Sequence, residues 1–200
     1  TFVRADWLTD WSNRKSIELT GSSVGQQTDY QVGVKVYYGA GADGTEIVNA
    51  VTFSKIYVDS KCQTDFDDIR FTTSDGSTEL DYKILEKTDS NNAVIWVEID
   101  TIPVDPDTVI FYIYYGNGGV STTSNGDDTF LLYDHFDDSS IDVAKWDEDT
   151  EGGGLISESG TVLVLDVHPA VSSDSAGVRS DMTFTNDISI MVKRRQTVNN

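Results

Sequence analysis

Cysteine, histidine and proline are scarce in this chain of 200 residues, which has one, two and three of them. With Cys62 alone, no disulfide can form within the chain, and no cage of thiolates for a metal exists. The histidines occur in no His-Glu-x-x-His pattern and the chain has no Gly-x-Ser-x-Gly elbow, so neither zinc hydrolysis nor a serine triad is predicted. No apolar run approaches the about 20 residues that span a bilayer, and we expect no direct insertion into a membrane.

Basic residues are also few relative to acidic ones. Fourteen lysines and arginines stand against 34 aspartates and glutamates, which gives a formal net charge of −20 at pH 7. Such a charge repels phosphate backbones, so nucleic acid is not an expected partner. An acidic surface suits solubility, cation binding or a saline environment, and composition does not choose among these.

Composition and periodicity both indicate β-structure. The chain contains nine Tyr, eight Phe and four Trp among frequent turn residues, and no long stretch has helical periodicity. Apolar and polar residues alternate around Ile17 and Leu19 and in four further runs, which predicts half-buried strands. These runs are residues 30–37, 93–100, 161–167 and 188–192. Residues 109–115 are apolar or aromatic on both faces, which predicts a central strand or one that presents tyrosines to a groove.

We therefore predict an all-β fold, an antiparallel β-sandwich of jelly-roll type followed by part of a second sandwich. The turn-rich run from Gly116 to Asp128 sets the boundary, with one domain at 1–129 and another at 130–200. The about 70 residues of the second domain are few for a sandwich, which usually needs about 100. Within that domain, residues 140–146 predict a single capped helical turn.

Residues 65–76 join an acidic loop, a short strand and a turn. Arg70 occupies one strand face and follows Asp67 and Asp68, and Ser74-Asp75-Gly76 supplies turn chemistry. Two interpretations are open at this point. The loop could hold a hard cation through its oxygen atoms, or the arginine could pair with neighbouring carboxylates and fix the loop.

Acidic side chains cluster at three places in the sequence, and calcium is the candidate cofactor. Calcium accepts six to eight oxygen ligands from irregular loops, including backbone carbonyls. The spacing matches no EF-hand, and the cluster between the two domains is the first candidate because an ion there would stiffen the junction. The candidate ligands are Asp127, Asp128, Asp134, Asp67, Asp68 and Asp75.

Aromatic residues are the candidate groups for binding sugars. Flat rings stack on the apolar faces of sugars, and carbohydrate-binding sandwiches place Trp or Tyr on an exposed sheet face with polar side chains beside it. The alternative for each ring is packing in the core. The candidate glycan-binding residues are Trp96, Tyr37, Tyr112, Tyr114 and Trp11. Glu98 and Asp100 alternate as glycosidase carboxylates do, but we interpret them as surface polar residues and predict no catalytic residue.

Several motifs in a consistent order make residues 7–136 resemble a known family. That family is a domain of unknown function found in large secreted and surface-attached multidomain proteins of bacteria, archaea and their viruses. Tyr133-Asp134-His135-Phe136-Asp137-Asp138, with Lys145-Trp146 behind it, more loosely resembles the opening of a concanavalin-A-like or laminin-G-like lectin or glucanase sandwich. The motifs of the first resemblance are Trp11-Ser12-Asn13-Arg14-Lys15-Ser16-Ile17, Asp29-Tyr30-Gln31-Val32, Lys61-Cys62, residues 64–71, Asp75-Gly76, Leu80-Asp81-Tyr82, Trp96-Val97, Ile102-Pro103 and Tyr112-Ile113-Tyr114-Tyr115-Gly116-Asn117.

The resemblance implies a secreted or cell-surface location. We accordingly expect an extracellular module that binds a polysaccharide or surface glycan, or attaches to a surface, without catalysis. A first alternative is a structural subunit or stalk of a surface fibre, in which copies of the chain share strands and calcium stabilises the joints. A second alternative is a non-catalytic fragment of a glycoside hydrolase, whose catalytic strands would lie beyond Asn200.

Overall fold

The computed structural model describes residues 7–167, 174–184, 190 and 192. It divides the chain into two compact units, Thr1–Tyr133 and Asp134–Asn200. The prediction of an all-β fold is confirmed, because strands hold 49% of the residues and helix 2%. The strand predicted at 188–192 lies outside the described residues except for its positions 190 and 192. No helix in the described ranges has the length and apolarity to cross a bilayer.

Two sheets form the first unit. The four-stranded sheet has the order β1-β9-β5-β6 and the five-stranded sheet the order β3-β4-β2-β8-β7. The elements of this unit are β1 (Asn13–Thr20), β2 (Gln27–Tyr37), β3 (Gly44–Val48), β4 (Val51–Tyr57), β5 (Arg70–Thr73), β6 (Glu79–Leu80), β7 (Tyr82–Thr88), β8 (Asn92–Ile102), β9 (Thr108–Tyr115) and the short helix α1 (Gly126–Thr129).

The inward positions of both sheets build one apolar core, as the alternation predicts. Ile17, Val34, Ile95 and Phe111 are among its buried members, and they come from β1, β2, β8 and β9. Burying a side chain of this size stabilises the fold by about 1.5–3 kcal/mol. Cys62 is buried in the same core, and this burial raises the pKa of its thiol to about 12.

One strand pair differs from the antiparallel prediction. β4 pairs with β2 in parallel, whereas the other strand pairs in the two sheets are antiparallel. The turn between β3 and β4 has two residues, Asn49 and Ala50, with φ of 50° and 67°. Positive φ at both positions is the geometry of a type I′ hairpin, which pairs β4 antiparallel to β3. β4 then lies between β3 and β2 and runs in the direction of β2.

The described strands of the second unit form two two-stranded antiparallel sheets. β10 (Trp146–Glu151) pairs with β13 (Ser175–Ser180), and β11 (Leu155–Glu158) pairs with β12 (Leu163–Asp166). The helical turn predicted over residues 140–146 is a turn closed on Asp142. The carbonyl oxygen of Asp142 accepts hydrogen bonds from the amides of Lys145 and Trp146, and its side chain accepts one from Ala144.

Candidate functional site

An aromatic platform lies on the outer face of the five-stranded sheet. We use this name for Tyr37 and Tyr57 together with Lys35, Lys55 and Glu46. The parallel register of β2 and β4 sets Tyr37 beside Tyr57 and Lys35 beside Lys55. The two half-buried tyrosine rings stack with their centroids 4.9 Å apart and an angle of 19° between planes. Tyr57 was not predicted, because only the parallel pairing brings it to Tyr37.

Polar contacts hold the platform in place. The hydroxyl of Tyr37 donates to Glu46 Oε2 at 2.9 Å, and Lys35 Nζ lies 2.9 Å from Glu46 Oε1. The hydrogen bond to Glu46 raises the pKa of Lys35. Burial acts to raise the pKa of Glu46, but the hydrogen bonds from Lys35 and Tyr37 outweigh it and the pKa is lowered. Both groups are therefore charged at neutral pH, and the Tyr37 ring is preorganised.

Trp96 lies farther along the same sheet face, but it is covered. The prediction placed its ring on an exposed face, whereas the side chain is 8% exposed. The ring centroids of Phe53 and Phe130 lie 5.2 Å and 6.4 Å from that of Trp96. Gly33 is the cross-strand neighbour of both Phe53 and Trp96, and a Cβ there would lie 2.5 Å from the Phe53 ring. Glycine at this position makes room for the aromatic cluster.

The covering of Trp96 comes from residues 121–133, which we call the cover segment. The amide of Asn125 donates to the carbonyl of Tyr82, and the hydroxyl of Ser124 accepts from the amide of Ile84. These bonds satisfy part of the outer edge of β7. α1 then begins at Gly126, in a stretch predicted as turn, and the side chain of its N-cap residue Asn125 accepts from the amide of Asp127. The Asn-Gly-Asp-Asp pattern of residues 125–128, a capping residue followed by acidic residues in the first turn, was the sequence signal for this helix.

Tyr112 and Tyr114 lie on the outer face of the other sheet, around Arg14. Tyr114 is fully buried, and its hydroxyl donates to the carbonyl of Gly76 and accepts from Arg14 Nη1, both at 2.9 Å. The guanidinium carbon of Arg14 lies 4.5 Å from the ring centroid of Trp7 and 4.4 Å from that of the half-buried Tyr112. Tyr114 is thus a packing residue, which corrects the prediction that its ring is available to a ligand.

Trp11 and the acidic stretch form a structural clamp. Trp11 Nε1 donates to the carbonyl of Asp68 at 2.7 Å, and its ring centroid lies 5.4 Å from the guanidinium carbon of Arg70. Arg70 is buried and donates to carbonyl oxygens of Ile69 and Ser121, each at 2.6 Å. The contacts match the interpretation in which the arginine fixes the loop, although its closest partners are carbonyl groups and not the carboxylates expected from sequence.

Asp68 belongs to this clamp. It is fully buried, and Oδ1 accepts from the amide of Gln63 at 2.9 Å. Oδ2 accepts from the amides of Gly116 and Asn117 at 2.6 Å and 3.0 Å. The carboxylate therefore joins the acidic loop to the end of β9. Both carboxylate oxygens thus accept from backbone donors, which gives Asp68 a structural role, and its assignment as a metal ligand stays a prediction.

Most of the remaining predicted metal ligands have partners within the protein. Asp67 pairs with Lys87 at 3.0 Å, and Asp134 accepts from the amide of Phe136 and from Trp146 Nε1. Asp75 closes the β5–β6 turn by accepting from the hydroxyl and amide of Thr78 and the amide of Ser77, which lowers its pKa. Asp127 and Asp128 lie in the first turn of α1. In the described ranges no three His, Cys, Asp or Glu side chains are grouped as metal ligands, and calcium binding stays a prediction.

The surroundings of Glu98 predict how the stability of the protein depends on pH. Its side chain accepts from Gln31 Nε2 at 2.9 Å on the outer face of β8. Burial raises the pKa of Glu98, and the carboxylates of Asp29, Asp81 and Asp100 add to the effect. When the pKa of a carboxyl is higher in the folded than in the unfolded state, the folded protein loses stability as the pH rises above the unfolded-state pKa. Glu98→Gln should therefore raise the free energy of unfolding at pH 7 by up to about 1 kcal/mol.

The gain from Glu98→Gln should disappear as the pH falls below the ordinary carboxyl range, where the wild-type side chain is protonated in both states. Thermal melting followed by circular dichroism at pH 7 and at about pH 3 measures this difference. Glu18→Gln, at an exposed position of β1, is the matched control and should change neither value. An equal effect of Glu98→Gln at both pH values would contradict the prediction.

Comparison with known proteins gives one match. Residues 65–149 match the family model of a domain of unknown function, DUF2341. No curated protein and no solved structure was found to match the chain. The matched range supports the expected relation to a family of unknown function and contains the clamp of Asp68 and Arg70. It begins after β4, so the whole aromatic platform lies outside it.

Proposed function

We propose that this chain is an extracellular module that binds a polysaccharide or surface glycan, or attaches to a surface through one, without catalysis. The aromatic platform is the observation that carries the proposal. It combines two stacked tyrosine rings, two ammonium groups and one carboxylate on a single outer sheet face. Sugars are recognised by this combination, because rings pack on their C–H faces while charged and polar groups bond their hydroxyls.

The geometry around Tyr37 suits an extended saccharide. One face of its ring is occupied by Tyr57 on β4, and on the other side its cross-strand neighbour is Asn92 on β8. Asn92 is a small amide that can donate and accept hydrogen bonds. A saccharide that runs across the strands from β2 to β8 would meet the ring of Tyr37 and the amide of Asn92, with the ammonium group of Lys35 beside the Tyr37 ring. Because the rings stand on paired strands and not on a loop, little ordering is needed on binding.

A second candidate function is a subunit of a surface fibre, and one observation favours it. β3 is the outermost strand of the five-stranded sheet in the described structure, and its Ile47 is largely exposed. An uncovered edge strand is a template for a strand from another copy of the chain. This function predicts oligomers that form without any glycan.

Tyr37→Ala should weaken glycan binding by about tenfold, because it removes the central ring of the platform. Tyr37→Phe keeps the ring and loses only the hydrogen bond to Glu46, so it should bind within about threefold of the wild type. The measurement is a glycan array with the full chain, followed by calorimetric titration of the best ligand.

Tyr112→Ala is the control, because Tyr112 is half-buried on the other sheet. Binding that is lost in Tyr112→Ala and kept in Tyr37→Ala would place the site on the four-stranded sheet and overturn the assignment to the platform. An array without any bound glycan, together with oligomers detected by light scattering, would favour the fibre subunit.

A further inference from the structure

The first unit has a cleft at the end where the last residues of β1 and β8 meet the start of β2. Its volume is about 220 Å³. Thr20 ends β1 in one sheet, while Gln27 and Tyr30 near the start of β2 and Ile102 at the end of β8 belong to the other. The lining residues are Thr20, Ser22, Val24, Gln27, Tyr30 and Ile102.

The loops beneath the cleft are locked together. The amide of Gly21 donates to the carbonyl of Asp107, and the amide of Ser22 donates to the carbonyl of Pro103, both at 2.7 Å. The amide of Asp105 in turn donates to the carbonyl of Ser22 at 3.1 Å. A Cβ on Gly21 would lie 2.6 Å from the oxygen of Pro103, so only glycine permits this approach. The cleft is therefore preorganised, which lowers the entropy cost of binding.

The cleft presents unoccupied binding groups. Gln27 Nε2 donates to the carbonyls of Gly25 and Gln26, whereas its Oε1 has no hydrogen-bond partner among the described residues. The Tyr30 side chain is 49% exposed and its hydroxyl likewise makes no hydrogen bond within the described ranges, and Val24 is 86% exposed. An amide oxygen, a phenol, an aromatic ring and an aliphatic side chain thus surround one small space.

None of the six lining residues is charged, although a quarter of the chain's residues are charged. The cleft offers no ammonium or guanidinium group to pair with an anion and no carboxylate to hold a cation. Its volume is below the about 300–1,000 Å³ of pockets for drug-sized ligands. The class of ligand that fits this lining is a small, neutral molecule with several hydroxyl groups and an apolar face.

We propose that this cleft binds one neutral sugar ring, as a second subsite for glycan recognition. The ring of Tyr30 packs on the C–H face of the sugar, and Gln27 Oε1 accepts from a sugar hydroxyl. Tyr30 and Tyr37 are seven positions apart on β2, or about 23 Å. The cleft is consequently separate from the aromatic platform. The inference rests on the proposed function, since both assign glycans as ligands, but it concerns different residues.

The test is a titration of the full, ¹⁵N-labelled chain followed by amide chemical shifts. Glucose, galactose and N-acetylglucosamine are the neutral probes, and glucuronate and glucosamine are the charged ones. We expect at least one neutral sugar to shift the amides of Ser22, Gln27 and Tyr30, and no charged probe to bind more tightly. Tyr30→Ala should weaken this binding by about tenfold, and Tyr30→Phe should retain it.

Tyr37→Ala should leave the cleft shifts unchanged, which separates the two sites. If every sugar shifts only the amides of the platform, the assignment of the cleft as a sugar site is wrong, while the proposed function stands. An absence of shifts at both places would overturn both. Tighter binding of glucuronate or glucosamine in the cleft would refute the assignment of a neutral ligand. Melting curves of Tyr30→Ala and Tyr30→Phe that match the wild type show that a loss of binding does not arise from unfolding.

Discussion

Asp68→Ala should lower the free energy of unfolding by at least about 3 kcal/mol, because it leaves three part-buried backbone amides without their acceptor. The amides are those of Gln63, Gly116 and Asn117, and the last two lie 48 and 49 residues away in the chain. The carboxylate is thus a long-range tie between the acidic loop and the end of β9. Urea unfolding of the full chain, followed by intrinsic fluorescence, measures the change.

The control for Asp68→Ala is Asp89→Ala, at an exposed position of the turn between β7 and β8. It removes one carboxylate from an equally acidic chain and should change the free energy of unfolding by less than about 0.5 kcal/mol. Asp68→Asn should lie between the two, because it keeps one oxygen acceptor. If chelation of calcium destabilised the wild type and had no effect on Asp68→Ala, Asp68 would be a metal ligand after all.

Trp96→Ala should destabilise the protein by about 3–5 kcal/mol, the usual cost of removing a large buried ring. The ring fills the space between Phe53, Phe130 and Gly33 on the outer face of the five-stranded sheet. Its Nε1 has no hydrogen-bond partner among the described residues. Trp96→Phe should consequently cost much less than Trp96→Ala, since it loses volume but no hydrogen bond.

The decisive measurement for Trp96 combines stability with binding. Thermal melting should rank the wild type above Trp96→Phe and Trp96→Phe above Trp96→Ala. At a temperature where all three are folded, glycan affinity should be equal, because Trp96 is not a platform residue and its cross-strand neighbour Gly33 lies four positions before Tyr37 on β2. Wild-type stability of Trp96→Ala with loss of glycan binding would show that the cover segment leaves the ring open in solution.

The sequence predicted β1, β2, β5, β8 and β9 of the first unit, and the reason is local; β3, β4, β6 and β7 were not among the predicted runs. Side chains of a strand alternate between two faces, so Val34 and Val36, or Ile95 and Val97, indicate the buried face without any knowledge of partners. The same alternation correctly placed Tyr37 and Lys35 on the face opposite these valines. It could not predict the parallel pairing of β2 and β4, because that pairing joins residues about twenty positions apart, such as Gly33 and Phe53.

The candidate site was predicted only in part, because exposure is a property of the whole fold. Trp96 and Tyr37 both point outward from the same sheet, and their local patterns are equivalent. Trp96 is covered because Phe130 reaches it from a segment more than thirty residues later in the chain, whereas the ring that stacks on Tyr37 is that of Tyr57 on the adjacent strand β4. Likewise Asp68 has the local pattern of a metal ligand, and distant backbone amides make it a clamp.

The positions of the clearly alternating strands, their inward faces and the acidity of the chain follow from residues that are neighbours in sequence. The buried face of a strand can be predicted from the period of two alone, and the net charge can be predicted from composition alone. The tertiary structure decided which outward aromatics remain accessible, which carboxylates accept internal hydrogen bonds, and that strand ends of both sheets enclose an uncharged cleft. Each of these depends on contacts between segments that are distant in sequence. Such contacts form, and stabilise the fold, only once the chain has folded.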